Sequence, residues 1–170
     1  MLSMQDKKED YVASIKGSEF SLKDVNNNVV TEKSFQGPST ALFFGFTHCP
    51  DVCPMTLNKL SIILERLKKE NKSLKVFFIS IDPERDTPEI MKDYLNSFEG
   101  KFTGITGNPE KIFKLSQSWG IASQKIFSED GEYTVNHSSP IILLKNGKYV
   151  DRITHKDDLK RSIKIIKKYL

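Results

Sequence analysis

The sequence has only two cysteines among 170 residues, Cys49 and Cys53, which excludes a small fold held together by several disulfides. Its 38% apolar residues and 10% aromatic residues are enough to bury a hydrophobic core at this length. We therefore predict a single domain over residues 1–170 and expect the cysteine pair to serve chemistry rather than stability.

Long hydrophobic runs are also missing. The longest, "ALFFGF" and "VFFISI", have the length of strands, whereas a membrane-spanning helix needs about 20 apolar residues. The opening "MLSMQDKKEDY" is too polar for a signal sequence. We expect the chain as given to be soluble, with residues 1–10 flexible or the remnant of a linker.

No charge of one sign dominates the chain. The 26 basic residues are interleaved with 22 acidic ones, for a net charge of +4. Because no arginine-rich or aromatic-interleaved basic patch is present in the sequence, nucleic-acid binding receives little support.

The pattern of apolar residues predicts an α/β fold. Residues 11–37 are typical of a β-hairpin region, and the apolar runs at 40–46 and 74–81 are typical of strands buried on both faces. Between these two runs lies an amphipathic helix that begins near Pro54, with a stripe formed by Leu57, Leu60, Leu64 and Leu67. A strand, a helix and a strand in this order predict parallel pairing through a right-handed crossover.

The second half of the chain adds helices and antiparallel strands. Helices are predicted to open at Thr87-Pro88 and Asn108-Pro109, and a last helix is predicted to begin at "THKD". "EYTV" and "PIILLK" are typical of strands, and Asn146-Gly147 of a hairpin turn. The whole pattern predicts a thioredoxin-like fold, a central mixed sheet with flanking helices and an N-terminal β-hairpin extension.

Both cysteines lie in "FTHCPDVCP", between the first buried strand and its helix. Functional residues of open α/β sheets gather at the carboxyl ends of parallel strands. A helix N-terminus favours thiolate over thiol, so we expect lowered pKa values for both cysteines. At this spacing the pair could form a disulfide or bind one metal ion.

The spacing and the number of donors bear on which metal could bind. The loop is C-x-x-x-C, one residue longer than the C-x-x-C of thioredoxin-type oxidoreductases. A structural zinc site needs four ligands, whereas two thiolates and one imidazole suit Cu(I). His48 is expected to be a loop or packing residue and His155 a solvated residue of a capping turn. His137 is the well-placed candidate, and a ligand role and an ordinary loop role both stay open for it at this point.

Several motifs taken together closely resemble the Sco/SenC family of copper-binding assembly factors for cytochrome c oxidase. They are "FFGFTHCPDVCP", "FFISIDPERDTPE" and the "Y.V.HSS" that ends at Ser139, in this order, within a match that runs from about Gly17 to Val150. The resemblance implies one copper ion per chain, as Cu(I) or Cu(II), held by Cys49, Cys53 and His137. It also implies that Cys49 and Cys53 form a redox-active disulfide when oxidised.

The resemblance further implies a partner and a place in the cell. The expected partner is the copper-site subunit of cytochrome c oxidase, with another copper chaperone as a candidate donor. Members of the family are usually anchored in a membrane and face the bacterial periplasm or the mitochondrial intermembrane space, so we expect the full-length form to be anchored. The family commonly has aspartate at the position of Asn136, so this chain lacks a negative charge beside the expected ligand His137.

A second polar segment, "DPERD", follows the second buried strand. Asp82 is expected at the same edge of the sheet as the cysteines, either as an ordinary strand end or in support of the metal site. Arg85 and Asp86 are candidates for partner docking or for a solvated loop. Pro140 occupies the place of the thioredoxin cis-proline, so we treat it as a further residue near the site.

Three functions fit the residues. The first is a metallochaperone, which cleaves no substrate bond and is therefore not expected to be an enzyme. The second is a thiol-disulfide oxidoreductase that reduces the partner's copper-site cysteines. The third, a copper-dependent redox sensor, uses the same atoms and differs in its partner.

Overall fold

A computed structural model describes residues 1–137 and 139–170, including all of their side chains except those of Ala13, Asn136 and His137. This part of the chain contains five α-helices and nine β-strands. The helices are α1 (Met4–Ser14), α2 (Val52–Lys69), α3 (Pro88–Asn96), α4 (Pro109–Ser118) and α5 (Leu159–Lys168). The strands are β1 (Ser21–Asp24), β2 (Val29–Thr31), β3 (Thr40–Gly45), β4 (Lys75–Ser80), β5 (Thr103–Thr106), β6 (Ser123–Phe127), β7 (Tyr133–His137), β8 (Ile141–Lys145) and β9 (Lys148–Ile153). Among the described helices, none is long and apolar enough to span a bilayer.

Seven strands form one mixed sheet in the order β2-β1-β5-β4-β3-β8-β9. β3 and β4 pair in parallel, as the strand–helix–strand pattern predicts, and β5 adds a third parallel strand beside β4. β8 pairs antiparallel with β3, and the N-terminal hairpin of β1 and β2 joins the far edge through β5. The thioredoxin-like fold with an N-terminal hairpin is therefore confirmed.

Strand β3 is buried on both faces because helices cover both sides of the sheet. Leu42 and Phe44 pack into one core with residues of α1 and α4, and Ala41 and Phe43 pack into the other with residues of α2, α3 and α5. This explains why the strand is a continuous apolar run rather than an alternating one.

The helix starts follow local capping chemistry. Thr87 and Asn108 cap α3 and α4 with their side chains, each followed by a proline at the first helical position, as predicted. The last helix begins later than "THKD" indicates. Thr154 donates its backbone N–H to Asp157 and closes a separate turn, and Asp158 is the residue that caps α5.

Several elements differ from the sequence prediction. Residues 1–10, which we expect from the sequence to be flexible or a linker remnant, belong largely to α1, which packs Val12 into the core and pairs Lys8 with Asp151 of β9.

Two strands are not predicted from the sequence, β5 because "TGIT" is short and contains glycine, and β6 because "SQKIF" is largely polar. The "EYTV" strand pairs with β6 in a two-stranded sheet of its own rather than with the central sheet.

Candidate metal centre

Both cysteines lie where β3 is connected to α2. Cys49 lies in the connecting loop, where its backbone N–H donates to the Phe46 carbonyl at 3.2 Å. Cys53 is the second residue of α2 and is completely buried, whereas Cys49 is partly exposed. The two cysteines are not joined by a disulfide, and their side chains interact with each other. The C-x-x-x-C spacing therefore brings two sulfur donors together.

Gly45, the last residue of β3, makes room for the Cys53 sulfur. A Cβ atom on this glycine would lie 2.8 Å from the Cys53 Sγ and 2.8 Å from Cε2 of Phe78, closer than side chains tolerate. Sequence reasoning missed this residue. The available signal was a glycine inside an otherwise apolar strand, which marks the close approach of another group.

The pKa of Cys53 is raised, so our prediction of a lowered value is wrong for this residue. Burial is the main cause, and the neighbouring Cys49 and the carboxyl group of Asp86 raise the pKa of Cys53 further, although a backbone hydrogen bond at Phe46 opposes them. The favourable helix N-terminus is outweighed because the thiol has no access to water. A metal that binds Cys53 must therefore displace its proton.

Asp86 connects the cysteine loop to the segment that follows β4. Its carboxyl group is fully buried and accepts hydrogen bonds from the backbone N–H of Thr47 at 3.1 Å and from the Thr47 hydroxyl at 2.5 Å. The Ser80 hydroxyl at the end of β4 donates a third, at 2.7 Å. The interpretation of Asp86 as part of a solvated loop therefore does not hold.

Asp82 is also buried, and it accepts side-chain hydrogen bonds from two different parts of the chain. Arg85 donates from Nε to Asp82 at 2.5 Å, and the hydroxyl of Tyr133, at the start of β7, donates to Asp82 at 2.9 Å. Burial, the hydrogen bond to Asp82 and its charge together raise the pKa of Tyr133 to about 12. Both aspartates thus lie at the same edge of the sheet as the cysteine loop, as expected for Asp82.

His48 is exposed and lies beside these two carboxyl groups. One ring nitrogen of His48 and one oxygen each of Asp82 and Asp86 lie within 4.8 Å of one another. The oxygens already accept hydrogen bonds from Thr47, Ser80, Arg85 and Tyr133, so the group is satisfied by protein donors.

His137 is the last residue of β7, and its backbone pairs with that of Ser123 in β6. The side chains of His137 and Asn136 lie outside the described residues, so their predicted roles stay predictions. Pro140 immediately precedes β8, which pairs with β3. The Ser139–Pro140 bond is trans, like the other peptide bonds of the described residues. His155 is exposed in the turn before α5, as predicted.

Comparisons with known proteins agree with this arrangement. The family model described as SCO1/SenC matches residues 8–170. A SCO2-like protein of Rickettsia typhi is 38% identical over 137 residues, which are 79% of this chain and 68% of the relative. The mitochondrial SCO1 homolog 1 of Arabidopsis thaliana is 42% identical over 75% of this chain but only 39% of its own length.

A solved structure has the same fold. The copper-bound ScoI of Bradyrhizobium japonicum is 40% identical, with a TM-score of 0.82 over 91% of this chain and 99% of that one. The thioredoxin-like sheet, the paired thiols at the start of α2 and the family match over nearly the whole chain lead to one conclusion: this chain belongs to the SCO1/SenC family.

Proposed function

We propose that this protein is a copper chaperone that supplies a copper centre of cytochrome c oxidase during its assembly, binding one copper ion through Cys49, Cys53 and His137. One observation carries the proposal. Two thiols are in contact at the carboxyl edge of the sheet, in a chain 40% identical to a protein whose structure contains copper.

The donors suit copper by their chemistry. Two thiolates and one imidazole form a soft, low-coordinate set that favours Cu(I) over harder cations. Because thiolates are the ligands, oxidation of Cys49 and Cys53 to a disulfide abolishes binding. The redox state of the pair therefore decides whether copper can be held.

The unequal exposure of the two cysteines gives an order of release. Cys49 is partly exposed, whereas Cys53 is buried against Gly45 and Phe78. An incoming thiolate of a partner reaches the metal first from the side of Cys49 and replaces it. Transfer then proceeds by exchange of ligands, with no net oxidation of copper or sulfur.

The proposal also covers the protein that receives the copper and the cellular compartment. The receiving protein is the copper-site subunit of the oxidase. The place of action is the periplasmic side of a bacterial inner membrane or the mitochondrial intermembrane space, and the name of the Arabidopsis relative, which is mitochondrial, supports a setting of this kind.

The alternative of a thiol-disulfide oxidoreductase uses the same two thiols. The partly exposed Cys49 can attack a partner disulfide, and the buried Cys53 can then resolve the mixed disulfide. The copper-bound structure of a protein 40% identical to this chain favours the chaperone role, and the oxidoreductase is the second candidate function.

Copper titration of the reduced protein tests the proposal. We expect one equivalent of Cu(I) to bind the reduced chain and none to bind the oxidised chain. His137→Ala should weaken Cu(I) affinity by about 100-fold or more, since one of three ligands is lost, on the scale of about 2.7 kcal/mol. His155→Ala, at an exposed histidine of the turn before α5, is the matched control and should bind copper like the unmodified chain.

Two results would overturn the proposal. Equal copper affinity in the His137→Ala and His155→Ala variants would remove the histidine from the ligand set. Tight copper binding by the oxidised chain would show that the cysteines are not the donors.

A further inference from the structure

The hairpin of β6 and β7, which carries His137, stands apart from the central sheet. Its two strands pair with each other from Ser123↔His137 to Phe127↔Tyr133 and form a separate two-stranded sheet. The backbone hydrogen bonds of the seven-stranded sheet therefore do not fix the position of the hairpin. Other contacts must set its position relative to the cysteines.

Tyr133, at the first position of β7, supplies such contacts. Its hydroxyl donates to Asp82 at 2.9 Å, and its carbonyl accepts from Nη1 of Arg85 at 2.7 Å. The Arg85 guanidinium also lies over the Tyr133 ring, with Cζ 3.8 Å from the ring centroid. The backbone and the side chain of Tyr133 thus both contact the segment after β4.

A second pair of residues fastens the same hairpin to the same segment. Lys125 of β6 forms a salt bridge with Glu84 at 2.9 Å, and its ammonium group lies 4.9 Å from the Tyr133 ring centroid. These groups are more exposed than Asp82 and contribute less. The buried contacts at Asp82 and Arg85 therefore dominate.

The segment after β4 is itself fixed to the cysteine loop. Arg85 and Asp82 form an ion pair at 2.5 Å in which the Asp82 side chain is fully buried and the Arg85 side chain 19% exposed. One residue further on, Asp86 accepts both hydrogen bonds from Thr47, which lies two residues before Cys49. A continuous set of contacts thus runs from Tyr133 to the cysteine loop.

We infer that Asp82, Arg85 and Tyr133 form a clamp that positions the hairpin so that His137 meets the copper held by Cys49 and Cys53. The inference rests on the proposed ligand role of His137. These three residues do not touch copper. They are positioning residues that act through β7.

The spacing along the chain explains why one clamp is enough. Three residues of β7 separate Tyr133 from His137, and the four steps of extended backbone span about 13 Å. Four residues after His137, Ile141 pairs with Phe43 of β3. His137 therefore lies between two points that are each tied to the strands and loops around the cysteines.

The clamp is expected to raise copper affinity by ordering the third ligand before the metal arrives. Without it, the imidazole must be recruited from a hairpin that moves independently, and binding then includes the cost of ordering that hairpin. Groups that orient a metal ligand typically change affinity by about 10-fold to 100-fold when they are removed.

Tyr133→Phe is the direct test, because it removes the hydroxyl bond to Asp82 but keeps the ring beneath Arg85. We expect Cu(I) affinity of the reduced 170-residue chain to fall about 10-fold. Tyr169→Phe is the matched control, since its hydroxyl also donates to a buried aspartate, Asp151 at 3.2 Å, but at the end of α5. That variant should keep its copper affinity.

A double-mutant cycle separates positioning from a general loss of stability. If Tyr133 acts through His137, then adding Tyr133→Phe to a His137→Ala chain should cause no further loss of copper affinity. Hydrogen exchange of the β6 and β7 amides in the copper-free protein gives a second readout. Exchange should become faster in Tyr133→Phe and stay unchanged in Tyr169→Phe.

The outcomes distinguish this inference from the proposed function. If His137→Ala leaves copper affinity unchanged, the three-ligand site fails. If His137→Ala weakens binding but Tyr133→Phe does not, the site stands and the clamp is refuted. An equal loss for Tyr133→Phe in the presence and absence of His137 would also refute it, because the effect would not pass through the histidine.

Discussion

Gly45 shows at the scale of single residues how little space the site leaves. The chain reaches the end of β3 with a glycine, and the Cys53 sulfur occupies the volume that a Cβ atom would fill. A larger residue at position 45 would move the thiol or the ring of Phe78. The position of Cys53 thus depends on a residue that contributes no side chain.

Gly45→Ala should therefore destabilise the fold and weaken copper binding together. We expect a loss of about 1–3 kcal/mol in the free energy of unfolding, typical of an overfilled core, and a measurable drop in Cu(I) affinity. Gly104→Ala is the matched control. Gly104 lies in β5, which is separated from β3 by β4, and its Cβ would lie 2.8 Å from Cδ1 of Leu95 in α3.

Urea unfolding and copper titration of both variants check this expectation. Gly104→Ala should lose comparable stability but keep its copper affinity once folded. Unchanged copper affinity in Gly45→Ala would contradict the role of this glycine in placing the Cys53 sulfur.

The residues of the site were only partly predictable from the sequence. The cysteine pair was visible from its spacing and its place after a buried strand, and Asp82 from its place after the next strand. The raised pKa of Cys53 was not, because the favourable helix end is a local feature whereas burial depends on how Gly45 and Phe78 pack around the thiol. One partner of Asp82, the hydroxyl of Tyr133, comes from a strand 51 positions later, which spacing alone does not reveal.

At the scale of elements, two loops from neighbouring parallel strands are joined through one buried carboxyl group. Asp86 accepts hydrogen bonds from Thr47 of the cysteine loop and from Ser80 at the end of β4. A fourth bond, from the Thr106 hydroxyl to the backbone carbonyl of Asp86, connects the end of β5 to the same residue. The edge of the sheet that bears the site is thus a connected polar layer.

Thr47→Val removes the shorter of the two bonds from Thr47 while preserving the shape of the side chain. We expect a loss of about 1–3 kcal/mol in the free energy of unfolding, because a buried acceptor loses a donor. Thr154→Val is the matched control, since its hydroxyl lies 3.4 Å from an oxygen of Asp157 in a less buried turn.

Chemical denaturation of the two variants measures the difference. The Thr154→Val chain should remain close to the unmodified chain in stability. Equal stability of both variants and the unmodified chain would show that the Asp86 bonds do not hold the two loops together.

The elements that sequence reasoning misplaced share a physical reason. The alternation in "EYTV" is the same whether the strand joins the central sheet or pairs with β6 alone, so its partner is decided by tertiary contacts. Five of the eleven residues of α1 are charged, and the helix buries Val12 against the core, which leaves little apolar pattern to detect. Continuous apolar runs such as β3 and β4 were predictable because burial on both faces leaves a clear signature.

At the scale of the whole molecule, three polar segments connect to strands of the central sheet. The cysteine loop follows β3, the Asp82–Asp86 segment follows β4, and the hairpin with His137 precedes β8. Hydrogen bonds from Thr47 to Asp86 and from Arg85 to the Tyr133 carbonyl link these segments. The fold thus connects segments that are distant in the sequence.

Copper X-ray absorption of the reduced protein tests the central claim most directly, because it counts the atoms bound to the metal. The unmodified chain, loaded with one equivalent of Cu(I), should show two sulfur ligands and one imidazole nitrogen. His137→Ala should keep the two sulfur ligands and lose the imidazole signal, whereas His155→Ala should match the unmodified chain. A spectrum with two sulfur ligands and no imidazole in the unmodified chain would contradict the site formed by Cys49, Cys53 and His137.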